Sequence, residues 1–173
     1  MASMRARLRR AVNGAVPAIL ATLILGAPAP AAAGERVSEV MCLAQTIYFE
    51  SRGEPQLGQV AVAHVVLNRV GDGRFPGSIC RVVRQGGDAR RYRCQFTWWC
   101  DGLSDRPRSV ADWHSVLVLA LDVYLGRSED PTAGALWYHA DYVSPHWRSA
   151  FARGPKIGKH IFYREFQQTA QAD

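Results

Sequence analysis

The stretch TIYFESRGEPQLGQVAVAHVVLNRV, residues 46–70, decides how this chain folds. Its two apolar halves have the three- and four-residue spacing of amphipathic helices. RGEP, between them, offers a glycine suited to end one helix and a proline suited to begin the next. The spacing predicts one helix over 37–51, with Ser38 as its N-cap, and a second over 55–70. Four residues at steps of three, four and three share one face of the first helix: Val40, Leu43, Ile47 and Glu50.

The remaining segments predict an α+β domain that is mainly α. A short helix is expected at SICRVVRQ, residues 78–85, and a third long helix over 109–125, with the irregular segment 86–106 between them. Near the C-terminus the apolar period changes to two, because GALWYHA (134–140) and KHIFYR (159–164) alternate as strands do. A long aromatic and basic loop separates these two segments. The pattern therefore predicts a helical domain with a small, two-stranded antiparallel β-sheet.

The first 33 residues differ in composition from the rest of the chain. Four arginines and no acidic residue precede an apolar run, and small residues typical of cleavage before Gly34 follow it. A membrane anchor, which needs roughly 20 consecutive apolar residues, is the competing interpretation. Three residues interrupt this run: Asn13, Pro17 and Pro28. We therefore expect 1–33 to be a signal peptide, and 34–173 to be a single domain exported to the periplasm or the exterior, without stable membrane insertion.

Most of the net charge belongs to this leader. The chain has 21 basic and 15 acidic residues, and the leader contributes four arginines and no acid. The expected mature chain therefore has 17 basic and 15 acidic residues, a net charge of +2. Because no basic stripe stands out, we expect no nucleic-acid partner. We also expect a monomer.

Four cysteines remain in the expected mature chain, and export favours disulfides. Four cysteines allow three pairings. We favour Cys94–Cys100, which closes a short loop, with Cys42–Cys80 as the second bridge. A zinc site would be a different use of the same cysteines, and the lack of any C-x-x-C spacing weighs against it.

Glu50 is the residue whose position most strongly suggests chemistry. It continues an apolar face and ends the first predicted helix. Burial disfavours the charged carboxylate, and the negative end of the helix dipole acts in the same direction. Both effects raise the pKa, which suits a general acid near neutral pH. A structural salt bridge to Arg52 or Arg69 would equally account for a glutamate at this position.

The histidines offer a second kind of chemistry. His139, His146 and His160 gather in the C-terminal strand and loop region, where three imidazoles beside a carboxylate would suit a zinc amidase. No H-E-x-x-H or comparable ligand spacing is present. We therefore expect neither a metal nor another cofactor.

Several blocks together resemble a known family. CLAQTIYFESRGEPQLGQVAVAHVVLNRV, FPGSICRVV, CQFTWWCDG, YHADYVSPHW and IGKHIFYR follow in this order over about residues 40–164. They resemble the cell wall hydrolase family of the spore cortex-lytic enzymes. The resemblance implies a lysozyme-like, lytic-transglycosylase-related domain that acts on peptidoglycan glycan strands.

The resemblance also implies roles for particular residues. The glutamate of the family's Y-x-E-[AS]-R-G-E block is the catalytic acid, and Glu50 occupies that position. CQF is similar to a cleft-lining Gln-aromatic element of related transglycosylases, which implies that Gln95 and Phe96 bind substrate. The histidines and tyrosine of YHA and GKHIFY imply three more cleft residues: Tyr138, His139 and His160.

We therefore expect an exported lytic transglycosylase that cleaves the bond between N-acetylmuramic acid and N-acetylglucosamine. A hydrolytic muramidase would need a second carboxylate, for which Glu54, Asp101 and Asp141 are the possible partners. The residue pattern also leaves room for an N-acetylmuramoyl-L-alanine amidase and for a non-catalytic peptidoglycan-binding module. The buried-face carboxylate argues against the module, since binding alone does not require a costly charge there.

Overall fold

The computed structural model describes residues 30–86 and 94–166. It confirms the prediction of a mainly helical α+β domain. Four α-helices precede a small antiparallel sheet, and two short 3₁₀ helices, Thr97–Cys100 and His146–Ala150, lie in the connections. The helices and strands are α1 (Pro30–Glu50), α2 (Gln56–Gly71), α3 (Ile79–Val83), α4 (Val110–Tyr124), β1 (Trp137–Ala140), β2 (Ala152–Ile157) and β3 (His160–Arg164). Within the described ranges, no helix is both long and apolar enough to cross a membrane.

The main core forms where α1 packs against the other three helices. Leu43 and Ile47, from the face predicted for the first helix, are fully buried. They pack in one cluster with side chains from α3 and α4, including Val82 and Ala120. Burying one such aliphatic side chain stabilises a fold by about 1.5–3 kcal/mol. The same apolar face that fixes α1 in this core places Glu50 at its edge.

Both predicted disulfides are confirmed. Cys42 in α1 bonds to Cys80 in α3, and these two cysteines are 38 residues apart in sequence. Cys94 bonds to Cys100 and closes a loop at the 3₁₀ helix of Thr97–Cys100. The first bridge therefore ties two packed helices together, and the second constrains the segment that carries Gln95 and Phe96.

The sheet has three strands rather than the two predicted. Its order is β1-β3-β2, with all pairs antiparallel. β2 lies in the segment for which the sequence predicts a loop. Its pairing with β3 is irregular between Arg153 and Lys156. This irregularity removes the period-two alternation by which a strand is recognised in sequence.

Each face of the sheet has a different environment. Tyr138, His160 and Phe162 share one face, where Phe162 packs against Ala61 and Val65 of α2. On the opposite face, Trp137 stacks on Phe151 with ring centres 3.7 Å apart, and Trp147 covers His139 and Tyr163. Alternation along β1 therefore sends Tyr138 towards the helices and His139 away from them.

The start of α1 differs from the prediction. The described part of the helix extends back to Pro30, so Ser38 lies inside the helix and is not an N-cap. The Ser38 hydroxyl donates instead to the carbonyl of Gly34, 3.1 Å away, as serines do within helices. The helix also spans the expected cleavage point before Gly34. The second predicted helix is confirmed, with Pro55 at its N-cap.

The turn between β2 and β3 depends on a glycine packed against Glu54. Gly158 has φ +58°, and a Cβ atom there would lie 1.9 Å from Oε2 of Glu54. That same oxygen accepts a hydrogen bond of 2.8 Å from the backbone N–H of Lys159. The carboxylate of Glu54 therefore anchors the hairpin to the α1–α2 turn.

We expect Gly158→Ala to lower the free energy of unfolding by about 3 kcal/mol, which combines left-handed backbone strain with loss of the Glu54 contact. Gly126→Ala is the matched control, because Gly126 has φ +68° and no atom near the added Cβ. It should cost only about 1 kcal/mol. Urea denaturation of both variants measures the difference, and equal losses would contradict the packing of Gly158 on Glu54.

Candidate active site

Glu50 ends α1 at the junction between the helices and the sheet. Its side chain is half-buried, and its Oε2 accepts a hydrogen bond from the hydroxyl of Tyr138, 3.1 Å away. Burial raises the pKa of the Glu50 carboxyl, while the Tyr138 hydrogen bond and the charge of Arg69 lower it by less. The net result is a raised pKa, so this carboxyl holds its proton to a higher pH than an exposed glutamate does.

The residues after Glu50 explain why the helix stops there. The backbone N–H of Ser51 still donates to the carbonyl of Ile47 at 3.0 Å, and the Ser51 hydroxyl donates to the same carbonyl at 2.7 Å. Gly53 then adopts φ +82° and reverses the chain, as a glycine can do without strain. Arg52 turns outward, with its guanidinium 5.8 Å from the centre of the Tyr48 ring. Glu50 is thereby held at the end of α1, whose last two turns are largely buried.

Tyr138 is suited to act as a permanent donor to Glu50. Burial and the neighbouring Glu50 raise the pKa of its phenol well above the ordinary value. The hydroxyl therefore stays protonated over the whole physiological range. It can donate to Glu50 in either charge state of that carboxyl.

Arg69, on α2, is the buried cation of this region. Only 2% of its surface is exposed. Its Nε donates to the carbonyl of Leu136 at 2.7 Å, and its charge lies 5.4 Å and 5.5 Å from the ring centres of Phe75 and Phe96. Burial lowers the pKa of the guanidinium to about 10, so Arg69 remains charged at neutral pH.

Neither of the salt bridges considered for Glu50 is formed. Of the described residues Arg52 and Arg69, neither makes a salt bridge with Glu50. Arg69 is near enough for its charge to lower the pKa of Glu50, but its hydrogen bonds go to other groups. The carboxylate therefore has no direct counter-ion among these two arginines.

Gln95 and Phe96 lie beside Arg69. With the Gln95 amide oriented so that its oxygen faces Arg69, that oxygen accepts two hydrogen bonds from the guanidinium, at 3.0 and 3.2 Å. The rest of Gln95 is exposed. Phe96 lies in the helical core with 2% of its surface exposed, beneath the guanidinium of Arg69. The structure thus brings both predicted residues to Arg69, one on the surface and one in the core.

The two predicted histidines occupy different environments. His160 packs edge-on against Tyr138, with ring centres 5.1 Å apart, and burial lowers its pKa. His139 lies on the other face of the sheet, where its ring nitrogens pair with the carbonyl of Ala140 and the hydroxyl of Tyr163. The structure therefore brings Tyr138 to Glu50 and packs His160 against Tyr138, whereas His139 lies on the other face of the sheet. Within residues 30–86 and 94–166, no three His, Cys, Asp or Glu side chains are grouped as metal ligands would be.

The possible second carboxylates have partners of their own. Glu54 anchors the β2–β3 turn through Lys159, and Asp141 forms a salt bridge of 2.7 Å with Lys156. Asp101 accepts a hydrogen bond of 2.7 Å from the N–H of Leu103. Asp101 also borders a cleft next to the end of α1.

This cleft, which we name the Trp98 cleft, has a volume of about 240 Å³. Phe49 and Trp98 stack in its wall, with ring centres 5.0 Å apart and planes inclined by 21°. Its other principal lining residues are Tyr48, Arg52, Asp101 and Asp105. Aromatic faces beside carboxylates and an arginine are surfaces on which sugar rings and their hydroxyls can bind. The cleft therefore offers polar and aromatic groups, among them Phe49, which precedes Glu50 in sequence, but Glu50 itself is not one of its lining residues.

The sequence indicates Arg69 only as a possible salt-bridge partner of Glu50. The sequence does indicate that Arg69 is buried, because Arg69 lies four residues after Val65 and seven after Val62, both of which are fully buried. A charged residue that continues a buried helical face is the same signal that singles out Glu50. The contact of Glu54 with Gly158 has no such signal, because it joins a turn to a distant hairpin and is visible only in the fold.

Comparison with known proteins identifies the family of the chain. The sequence profile of the family described as "Cell Wall Hydrolase" matches residues 53–163. The spore cortex-lytic enzyme of Bacillus cereus is 37% identical over 131 residues, which cover 75% of this chain and 45% of that protein. The chain therefore spans less than half the length of this curated relative.

Two solved structures are similar over most of the chain. The catalytic domain of the Bacillus cereus SleB protein has a TM-score of 0.57 and 34% identity, and the match covers 74% of this chain and 91% of that one. The catalytic domain of the germination-specific lytic transglycosylase SleB from Bacillus anthracis has a TM-score of 0.57 and 35% identity, over 73% and 93% of the two chains. Since the family profile matches well over half of its residues, the chain belongs to the cell wall hydrolase family.

Proposed function

We propose that this protein is a lytic transglycosylase that cleaves peptidoglycan between N-acetylmuramic acid and N-acetylglucosamine, with Glu50 as its general acid and base. The observation that carries the proposal is the state of Glu50, a half-buried carboxyl with a raised pKa that ends α1 and accepts a hydrogen bond from Tyr138. The similarity to catalytic domains of SleB, one of them described as a lytic transglycosylase, supports it.

The proposed reaction uses one carboxyl twice. Protonated Glu50 donates its proton to the glycosidic oxygen as the bond from that oxygen to the muramic anomeric carbon breaks. The N-acetylglucosamine leaves as an alcohol. The muramic 6-hydroxyl then attacks the same anomeric carbon and gives its proton to the Glu50 carboxylate. The product is a 1,6-anhydro sugar, no water is consumed, and Glu50 regains its starting state.

In this proposal Tyr138 keeps Glu50 in position through both steps. We expect Tyr138→Phe to lower the cleavage rate about tenfold, the scale of one lost hydrogen bond to a charged group. The Tyr138 hydrogen bond lowers the pKa of Glu50, so its loss should raise that pKa further. The first step needs protonated Glu50, so the alkaline limb of the pH–rate profile should move to higher pH.

Tyr142→Phe is the matched control, since it removes the same hydroxyl from a side chain that is 82% exposed. It should leave both the rate and the pH profile unchanged. An unaltered profile for Tyr138→Phe would contradict the role of its hydrogen bond.

The other predicted substrate-binding residues receive distinct roles. We infer that Gln95 presents its amide to the glycan from its exposed position over Arg69. Phe96 supports that position from the core. His160 supports Tyr138 on the sheet face near Glu50, and His139 contributes only through the packing of the opposite face.

We further propose that the domain acts outside the cytoplasmic membrane, where peptidoglycan lies, with residues 1–33 as a cleaved signal peptide. Cleavage before Gly34 would remove the first described turn of α1, Pro30–Ala33. Of that turn, Ala31 and Ala33 are exposed, so little packing would be lost. A monomer acting on glycan strands, without nucleic acid as a partner, completes the proposal.

Digestion of purified peptidoglycan in ¹⁸O-labelled water tests the proposed function. A lytic transglycosylase gives 1,6-anhydro ends that contain no ¹⁸O, and mass spectrometry shows these fragments to be one water lighter than muramidase products. Reducing ends that carry ¹⁸O would instead indicate hydrolysis. The position of Asp101 in the Trp98 cleft makes it the second carboxylate to test in that case.

Two further outcomes would contradict the proposal. Release of free stem peptides from intact glycan strands, if a chelator abolishes that release, would indicate an amidase. Bound but uncleaved peptidoglycan would indicate a binding module.

A further inference from the structure

The hydrogen bonds of Arg69 go to neutral groups. The acceptors are the carbonyl of Leu136 and the amide oxygen of Gln95, and the guanidinium also faces the rings of Phe75 and Phe96. Among the described residues, no carboxylate forms a salt bridge with it. Taking a charge out of water is costly unless that charge is paired. A purely structural link between α2 and β1 would not require a full positive charge.

The nearest ionisable groups indicate what the charge does. Arg69 acts electrostatically on Glu50 and on Tyr138, and both act on Arg69 in return. Tyr138, which donates to Glu50, lies two residues after Leu136, the backbone acceptor of Arg69. The same arginine is therefore tied to the strand that carries the donor of the proposed catalytic carboxyl. In the low-dielectric interior, a charge acts over a longer range than it does in water.

We propose that Arg69 is a positioning residue that stabilises the carboxylate form of Glu50, so that the carboxyl can give up its proton in the first step. This inference rests on the proposed function. Burial alone would make Glu50 a persistent acid and a poor proton donor. A buried cation held close, but not in contact, offsets part of that effect without occupying the oxygen that must reach the substrate.

Among the described residues, few titratable groups act on Glu50. Arg69 of α2 acts on it through its charge, and Tyr138 of β1 acts on it through a hydrogen bond. β3 supplies His160, which packs against Tyr138 and whose own pKa is affected by Glu54, Asp141 and His139. Phe75, Gln95 and Phe96 around the guanidinium carry no charge. A pH effect of Arg69 on Glu50 must therefore be separated from the titration of His160.

The test compares the titration of the Glu50 carboxyl in wild type and Arg69→Met. NMR of protein labelled with ¹³C at the glutamate carboxyl measures it directly, and Glu50→Gln identifies the resonance. Burial raises the pKa of Glu50 and the charge of Arg69 lowers it. Without that charge, the Glu50 titration should move to higher pH in Arg69→Met. Arg69→Lys keeps the charge and should restore most of the wild-type midpoint. The shift should persist in a His160→Gln background.

Val66→Ala is the matched control for structural damage, because it removes fully buried contacts of α2 without changing charge. It should lower stability and leave the Glu50 titration in place. If Arg69→Met does not fold, Gln95→Glu provides the second variant. It places a carboxylate against the guanidinium from the exposed side and should also move the Glu50 titration to higher pH.

The pH–rate profile supplies a functional readout. In Arg69→Met the alkaline limb of cleavage should follow the Glu50 titration to higher pH. Lower stability and rate with an unmoved Glu50 titration would overturn the inference and leave Arg69 as a structural link. The NMR titration needs no activity, so failure of the proposed transglycosylase reaction would be recognised separately.

Discussion

Glu50→Gln is expected to lower the rate of glycan-strand cleavage on the order of a thousandfold, within the range that a general acid contributes. Glutamine has nearly the same shape and can still pair with the hydroxyl of Tyr138, so the geometry of the site should be kept. It cannot donate a proton to the glycosidic oxygen or accept one from the 6-hydroxyl. Initial rates on purified peptidoglycan measure the effect, and a loss of less than tenfold would contradict the role of Glu50.

The same substitution has a predicted effect on stability with the opposite sign. Burial raises the pKa of Glu50 in the folded protein above its ordinary value. The folded state therefore binds this proton more tightly than the unfolded state, and the stability so gained is lost as pH rises through the raised pKa. Glu50→Gln avoids this loss. Relative to wild type, the free energy of unfolding of Glu50→Gln should increase as the pH rises through the raised pKa of Glu50. Thermal unfolding at a series of pH values measures this difference.

Removal of the Cys42–Cys80 bridge should have the largest effect on stability. The two cysteines close a loop of 38 residues, for which the chain-entropy estimate is about 4 kcal/mol. Cys94–Cys100 spans only six residues, so its removal should cost about 2 kcal/mol. We expect the double alanine variants to lose stability in that order in urea denaturation.

Each double variant serves as the control for the other, because both remove two sulfur atoms and one bond. Their effects on activity should also differ. Loss of Cys94–Cys100 loosens the segment of Gln95 and should reduce cleavage at temperatures where the fold is intact. A larger stability loss from the short loop than from the long one would contradict the loop-length explanation.

The helices and the position of Glu50 could be predicted because one apolar face organises each helix. The face of Leu43 and Ile47 is buried as expected, and it leads directly to Glu50. Gly53 and Pro55 fix the turn that follows, since their backbone preferences are local. The disulfide pairing could also be predicted from the sequence. Once Cys94 and Cys100 are paired across their short loop, the remaining two cysteines can only bond to each other.

The arrangement of the sheet was harder to predict from the sequence. The irregular pairing at Arg153 and Lys156 hides β2, since a bulge shifts side chains between faces. The same alternation decides which histidine packs against Tyr138, because His160 and Tyr138 share a face that His139 does not. Position in sequence could not separate these histidines. Nor could local spacing show that Gln95 and Phe96 meet at Arg69, since that contact joins segments over 25 residues apart.

The most direct test is a mass spectrum of peptidoglycan fragments after digestion with wild type, Glu50→Gln and Glu35→Gln under the same conditions. Glu35 makes the control, because it undergoes the same chemical change on an exposed part of the same helix. We predict 1,6-anhydro fragments from wild type and Glu35→Gln, and none from Glu50→Gln. The same anhydro fragments from Glu50→Gln, at a rate near that of wild type, would contradict Glu50 as the carboxyl that cleaves the glycan strand.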